Sequence, residues 1–207
     1  MNDLTRKTVD LSDGTKLEVV TRPGDRAGPV LLYIHGLGGL DEDLAMLRQL
    51  PGDVIVHAPD LKGFRCMDDV PRVQRQCSEL ITALELARPM LAGHGAGAAV
   101  AAELEAASPH GFAHLFLVAP QGMDADQRPV SGEGMGHRLA YIDARTTLIR
   151  GKQDATVTAA AILDLARLLP RSALVTVPEA GNDVIVTRPD AVARGFRHGM
   201  RVSGVPD

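Results

Sequence analysis

Tryptophan is absent from this chain, and two tyrosines and four phenylalanines are all the aromatic side chains in 207 residues. The hydrophobic fraction is still an ordinary 45%, so the core must be assembled from Leu, Val, Ile and Ala. Cysteine is nearly absent too. Cys66 and Cys77 are too few for a disulfide framework, which predicts reduced thiols. No His/Cys cluster has the spacing of a metal site, so neither metal nor cofactor is expected. No apolar run approaches the ~18 residues of a membrane span, and the first residues are polar, unlike a signal peptide. Acids and bases are interspersed, the net charge is −4 and no basic run occurs, which argues against nucleic acid and membrane as partners. These absences predict a cytoplasmic, single-domain protein over residues 1–207; they leave its oligomeric state open.

What is present is an alternation of strand and helix signals. Thr8–Leu11 and Lys16–Thr21 flank the turn Ser12-Asp13-Gly14-Thr15 and read as a hairpin. Apolar runs at 29–35 and 54–57 read as buried strands, and 89–92, 114–119, 147–150 and 173–177 as further strands. Between them lie helical patterns at 41–50, 68–86, 96–107, 157–169 and 189–201. On the second, Val73, Cys77, Leu80, Ile81 and Leu84 share one stripe. Such alternation predicts an α/β fold with a mostly parallel sheet and helices on both faces. Ligands in these sheets bind at the carboxyl ends of the strands, so the loops to inspect follow His35, His57, Ala92, Ala119, Arg150 and Val177.

Several of those loops carry motifs. Tyr33-Ile34-His35-Gly36-Leu37-Gly38-Gly39 ends the first buried strand, and Ala58-Pro59-Asp60-Leu61-Lys62-Gly63-Phe64 ends the next. Gly93-His94-Gly95-Ala96-Gly97 has the frame of a G-x-S-x-G elbow, with glycine at its centre. Leu148-Ile149-Arg150-Gly151-Lys152-Gln153-Asp154 places an acid after a strand. Ala180-Gly181-Asn182-Asp183-Val184 is followed by Arg188-Pro189-Asp190-Ala191-Val192. In this order the motifs resemble the α/β-hydrolase superfamily over nearly the whole chain. The resemblance implies an α/β-hydrolase fold with a minimal lid, a short flap at about 120–143. It also implies an oxyanion hole built on Gly36, Leu37 and Ala96, and a triad acid at Asp154. The nucleophile position holds Gly95, and the histidine position holds Asn182. A triad needs a base to take the nucleophile's proton and an acid to orient the base, so the resemblance implies a degenerate triad.

The favoured expectation is enolate-type chemistry, as in an epimerase, lyase or cyclase, on a small carbonyl ligand. Asp154 would serve as base and His94 as a second acid or base. One alternative is a non-catalytic ligand- or partner-binding pseudoenzyme. Another is an esterase-like hydrolase that uses displaced residues. His137, on the flap, is a further candidate for reaching the pocket. His35 reads as a structural residue of its loop, Asp60 as a turn cap, Tyr33 as core and Ser131 as part of the flap.

Overall fold

The computed structural model describes residues 3–25, 27–123 and 138–202. Its strands are β1 (Thr5–Asp10), β2 (Lys16–Arg22), β3 (Val30–Ile34), β4 (Ile55–Pro59), β5 (Met90–His94), β6 (Leu115–Val118), β7 (Thr146–Gly151) and β8 (Ser172–Val177). They form one sheet in the order β1-β2-β4-β3-β5-β6-β7-β8. β1 and β2 are the expected hairpin, β2 runs antiparallel to β4, and every later neighbour is parallel.

Helices cover both faces. On one lie α2 (Val70–Ala83), α3 (Ala96–Ala107) and α4 (Ala159–Leu168); on the other lie α1 (Leu44–Leu47), α5 (Val184–Thr187) and α6 (Pro189–Val202). Strand side chains alternate between these two cores, as the period of two requires. Leu32, Ile34, Leu91, Leu115 and Leu117 meet α2 and α3, while Leu31, Tyr33, Met90 and Phe116 meet α1 and α6. Phe116 stacks on Phe196 with ring centroids 4.2 Å apart. α3 is buried over Ala96–Glu105, which explains why Ala96–Ala102 carry no polar side chain.

Two helical expectations are shortened by capture of backbone groups. The segment 41–50 yields a 3-10 turn (Asp41–Asp43) and only the single turn α1. Its exit is held by the buried Arg22, whose guanidinium donates to the carbonyls of Leu47, Leu50, Pro51 and Val54. Four carbonyls satisfied from outside leave no need for a continued helical ladder. Likewise 68–86 opens as a 3-10 turn (Met67–Asp69). There the Asp69 carboxylate accepts the N–H groups of Arg65 and Cys66 at 2.9 and 3.2 Å, which holds its carboxyl down at about 2. α2 begins at Val70 with Pro71 in its first turn, and the helix stops before Glu85, whose φ is 50°. The flap expected at 120–143 falls largely on 124–137, so Ser131 and His137 lie outside the described residues. Among the described residues no helix is long and apolar enough to cross a membrane.

Candidate functional site at the end of strand β5

β5 ends at His94 and α3 begins at Ala96, so Gly95 alone makes the turn. Its backbone sits at φ 55°, ψ −120°, a region costly for residues with a side chain and free for glycine. The Gly95 N–H donates to the Val118 carbonyl at 2.9 Å, and its own carbonyl accepts from Ala98 and Gln121 at 3.2 and 3.1 Å. These bonds tie the turn to the end of β6. The flanking glycines are fixed by contact: a Cβ on Gly93 would lie 2.2 Å from the Gly97 oxygen, and one on Gly97 would lie 2.3 Å from the Ile34 oxygen. A Cβ on Gly95 would meet nothing nearer than 3.9 Å, its neighbours being the Gln121 side chain and the Gly36 Cα. Of the three glycines, Gly95 alone has room for a side chain.

The turn after β3 lies alongside. Gly36 is a neighbour of Gly95, and Leu37 is 41% exposed, a large apolar side chain at the surface. Leu37, Met67, Pro120, Gln121, Gly122, Thr156 and Val157 line a cleft of about 240 Å³. Among the described residues, the N–H groups of Leu37 and Ala96 have no backbone acceptor. Ala96 opens α3, and a helix start carries partial positive charge.

Asp154 stands behind the wall of this cleft. It is buried, and its Oδ1 accepts the N–H groups of Thr156 and Val157, each at 2.8 Å. Its Oδ2 is buried without a partner. The loop of Asn182 runs beside it: the Gln153 N–H donates to the Ala180 carbonyl at 2.8 Å, and Gly151 packs directly on the Ala180 and Gly181 carbonyls. Asn182 itself is exposed. So Leu37 lines the cleft, Gly95 stands beside its Gln121 wall with Gly36 and Ala96 next to it, Asp154 lies behind Thr156 and Val157, and Asn182 lies on the neighbouring loop.

His94 takes another direction. Its Nδ1 lies 3.2 Å from Asp43 Oδ1 and 3.4 Å from Oδ2, and Tyr33 donates its hydroxyl to the same Oδ2 at 2.6 Å. Asp43 is buried. Burial, and then the nearby Asp43 carboxylate, push the Tyr33 phenol well up, so it remains a donor. Tyr33 is core, as its apolar run suggests, but its hydroxyl is tied to an acid that sequence reasoning missed. Nothing local marks Asp43; only the fold brings it under β5. His35 is buried and structural. It accepts the Leu61 N–H on Nε2 at 3.0 Å and donates from Nδ1 to the Gly36 carbonyl at 2.6 Å. Asp60 pairs with Arg6, which places it on the hairpin side. Gln121 was also missed, although its place just past β6 is where ligands meet a parallel sheet. Cys77 is fully buried, which raises its thiol to about 12, and Cys66 is exposed. Among the described residues no group of His, Cys, Asp and Glu could hold a metal.

Comparison with known proteins agrees with the fold. The chain is 32% identical over 162 residues to Lipase 1 of Psychrobacter immobilis, a match covering 74% of this chain and 49% of that protein. The chain thus spans about half the length of the curated relative it matches. No family model matches. Among solved structures, a membrane phospholipase A described as a bacterial virulence factor superposes with a TM-score of 0.84 at 21% identity, over 98% of this chain and 87% of that one. An alpha/beta hydrolase enzyme from a lagoon-sediment metagenome gives 0.80 at 16%, over 98% and 100%. A thermophilic esterase from Thermogutta terrifontis gives 0.80 at 17%, over 96% and 99%. The chain has the α/β-hydrolase fold, and the proteins it is similar to are hydrolases and lipases.

Proposed function

We propose that the crevice at Gly95 is an ester-type acyl site, one that holds the carbonyl of an ester or related compound against the N–H groups of Leu37 and Ala96. The conformation of Gly95 carries this reading. A φ of 55° and ψ of −120° between two glycines that tolerate no Cβ is the shape that presents a nucleophile above a sheet. Each backbone donor aimed at a developing oxyanion is worth ~3–4 kcal/mol, and both donors survive the loss of a side chain at 95. The similarity to a lipase, a phospholipase and esterases points the same way.

The enolate reading has less support. It needs a base presented to the cleft. Asp154 is buried and held by two backbone donors, the posture of an orienting acid. His94 has its Nδ1 turned toward Asp43. In this proposal Asp154 keeps the orienting role of a triad acid, and its unpartnered Oδ2 marks where the N–H of a histidine on the 182 loop would donate. Gly95 and Asn182 supply neither the attacking oxygen nor the proton carrier, so the covalent route stops at binding.

The test is a p-nitrophenyl ester assay on the chain and on the Gly95→Ser/Asn182→His double variant. The expected result is a blank for the chain and esterase activity in the double variant, abolished again by adding Asp154→Asn. No activity in a double variant that retains its circular dichroism would overturn the assignment of the site. Activity in the unaltered chain would establish a second reading, favoured by the hydrolase likeness, in which a group other than residue 95 attacks.

A further inference from the structure

The opposite end of the sheet carries a second feature, independent of the crevice at Gly95. The parallel register sets β6, β7 and β8 starting level with one another: Leu115 pairs with Thr146, and Thr146 with Ser172. The residues just before these starts are His114, Arg145 and Arg171, and Arg88 stands two residues before β5. Adjacent strands lie ~4.8 Å apart, so Arg145 and Arg171 stand as two cations on neighbouring rungs, with the buried His114 on the next. The rungs are fixed by backbone bonds: the Leu115 N–H donates to the Arg145 carbonyl, and the Thr146 N–H to the Arg171 carbonyl, both at 2.9 Å. Like charges set opposite one another on neighbouring strands are destabilising.

Two hollows open here. One, of about 170 Å³, is lined by Arg88, His110, Asp143, Arg145 and Arg171 among others. At ~30 Å³ per water, it has room for a handful of waters or one phosphoryl group. The other, of about 280 Å³, shares Arg145 and Arg171 with the first and continues over Ser172, Ala173, His198 and Val202. One exposed carboxylate serves the first hollow. Asp143 holds His110 at 2.8 Å and Arg171 at 3.7 Å. The buried Glu105 lies behind it, with Oε1 on the Ala144 N–H. Neither Arg88 nor Arg145 has an ion-pair partner among the described residues. The charge of Arg145 instead falls on the buried His114. In a chain of net charge −4, this local positive excess favours an anion.

We infer that this end of the sheet binds a phosphate-bearing small molecule. Its phosphoryl group would sit between the Arg88, Arg145 and Arg171 guanidiniums, and its organic part would lie along the second, less polar hollow. Planar guanidinium forks match tetrahedral oxyanions with paired N–H donors, and three arginines around one small hollow favour phosphate over carboxylate.

Calorimetric titration with inorganic pyrophosphate tests this. Saturable binding is expected at about 0.1 M salt and its loss at about 1 M, where the screening length falls from ~10 to ~3 Å. Affinity should drop roughly tenfold in Arg145→Ala and further in Arg88→Ala/Arg145→Ala; Arg145→Lys should keep part of it. All these side chains are exposed, so the variants should fold, and unchanged melting would check that. Vesicles of equal parts phosphatidic acid and phosphatidylcholine form the second arm. Pyrophosphate binding without vesicle co-sedimentation assigns a free phosphate compound, and co-sedimentation lost in the double variant assigns a lipid headgroup. Absence of both, or equal pyrophosphate affinity in the chain and in Arg88→Ala/Arg145→Ala, would overturn the site.

Discussion

Alanine placed at each of the three glycines of the β5–α3 turn should give a stability pattern that only one geometry explains. At Gly97 a new Cβ would lie 2.3 Å from the Ile34 oxygen and 2.5 Å from the His35 oxygen. Ordinary C···O contacts begin near ~3.3 Å, so the start of α3 must move off the end of β3 by roughly 1 Å. Overpacking of this kind costs about 1–3 kcal/mol where neighbours can yield, and backbone oxygens in a sheet yield little. At Gly93 the clash is with the Gly97 oxygen at 2.2 Å and the Ala98 Cα at 2.5 Å, again backbone on backbone. At Gly95 the new methyl meets nothing within 3.8 Å, since its nearest neighbours stand at 3.9 Å. There the whole cost is the left-handed conformation at φ 55°, about 1–3 kcal/mol. A chain of this length loses ~2–4 °C of Tm per kcal/mol. Gly95→Ala should therefore melt ~2–12 °C below the parent. Gly93→Ala and Gly97→Ala should each melt well below Gly95→Ala, or fail to fold. Thermal unfolding followed by circular dichroism reads all three. A Gly97→Ala variant that melts with the parent, or a Gly95→Ala variant as damaged as Gly97→Ala, would refute the argument that the turn is built for a side chain at position 95 alone.

Two further predictions concern buried titratable groups. Burial drives His57 and His114 down to about 4. Between that value and the usual 6.5 the unfolded chain binds protons that the folded chain refuses, so stability falls as pH drops through this window. For the buried His114 the loss is roughly 3 kcal/mol. Burial pushes the Glu105 carboxyl up, which acts in the opposite sense, so the check is by residue. In an NMR titration His57 and His114 should remain neutral at pH 5, and titration of these two near 6.5 would contradict their placement. The second concerns thiols. Cys66 is exposed and Cys77 is buried with its thiol at about 12. Ellman's reagent at pH 8 should label one equivalent in the folded chain and two after denaturation; two fast equivalents without denaturant would place Cys77 wrongly.

Sequence periodicity located the elements because each carries its reason locally. The hairpin has its turn residues, the buried strands are short apolar runs, and α3 is an Ala-rich stretch that matches the observed helix from Ala96 to Ala107. The lengths of α1 and α2 were less legible. One depends on Arg22 reaching four carbonyls between 25 and 32 residues away, and the other on Asp69 and Glu85 at its ends. The one-turn α5 had no periodic signal to find. At the site, the glycine frame was readable because the spacing of Gly93, Gly95 and Gly97 is itself the constraint. The direction of His94 was not, because it depends on Asp43, 51 residues away in the chain.

The amino-acid order alone determined that a glycine stands at 95 and an asparagine at 182, and that strands and helices alternate around a mostly parallel sheet. Those properties follow from side-chain identity and short-range periodicity. Tertiary structure decided which groups share a surface. It placed Asp154 under the cleft with one oxygen unpartnered, turned His94 toward Asp43, and drew Arg88, Arg145 and Arg171 together at the far edge. The physical reason is strand register: a parallel ladder fixes which distant residues stand side by side, and no local preference encodes that choice.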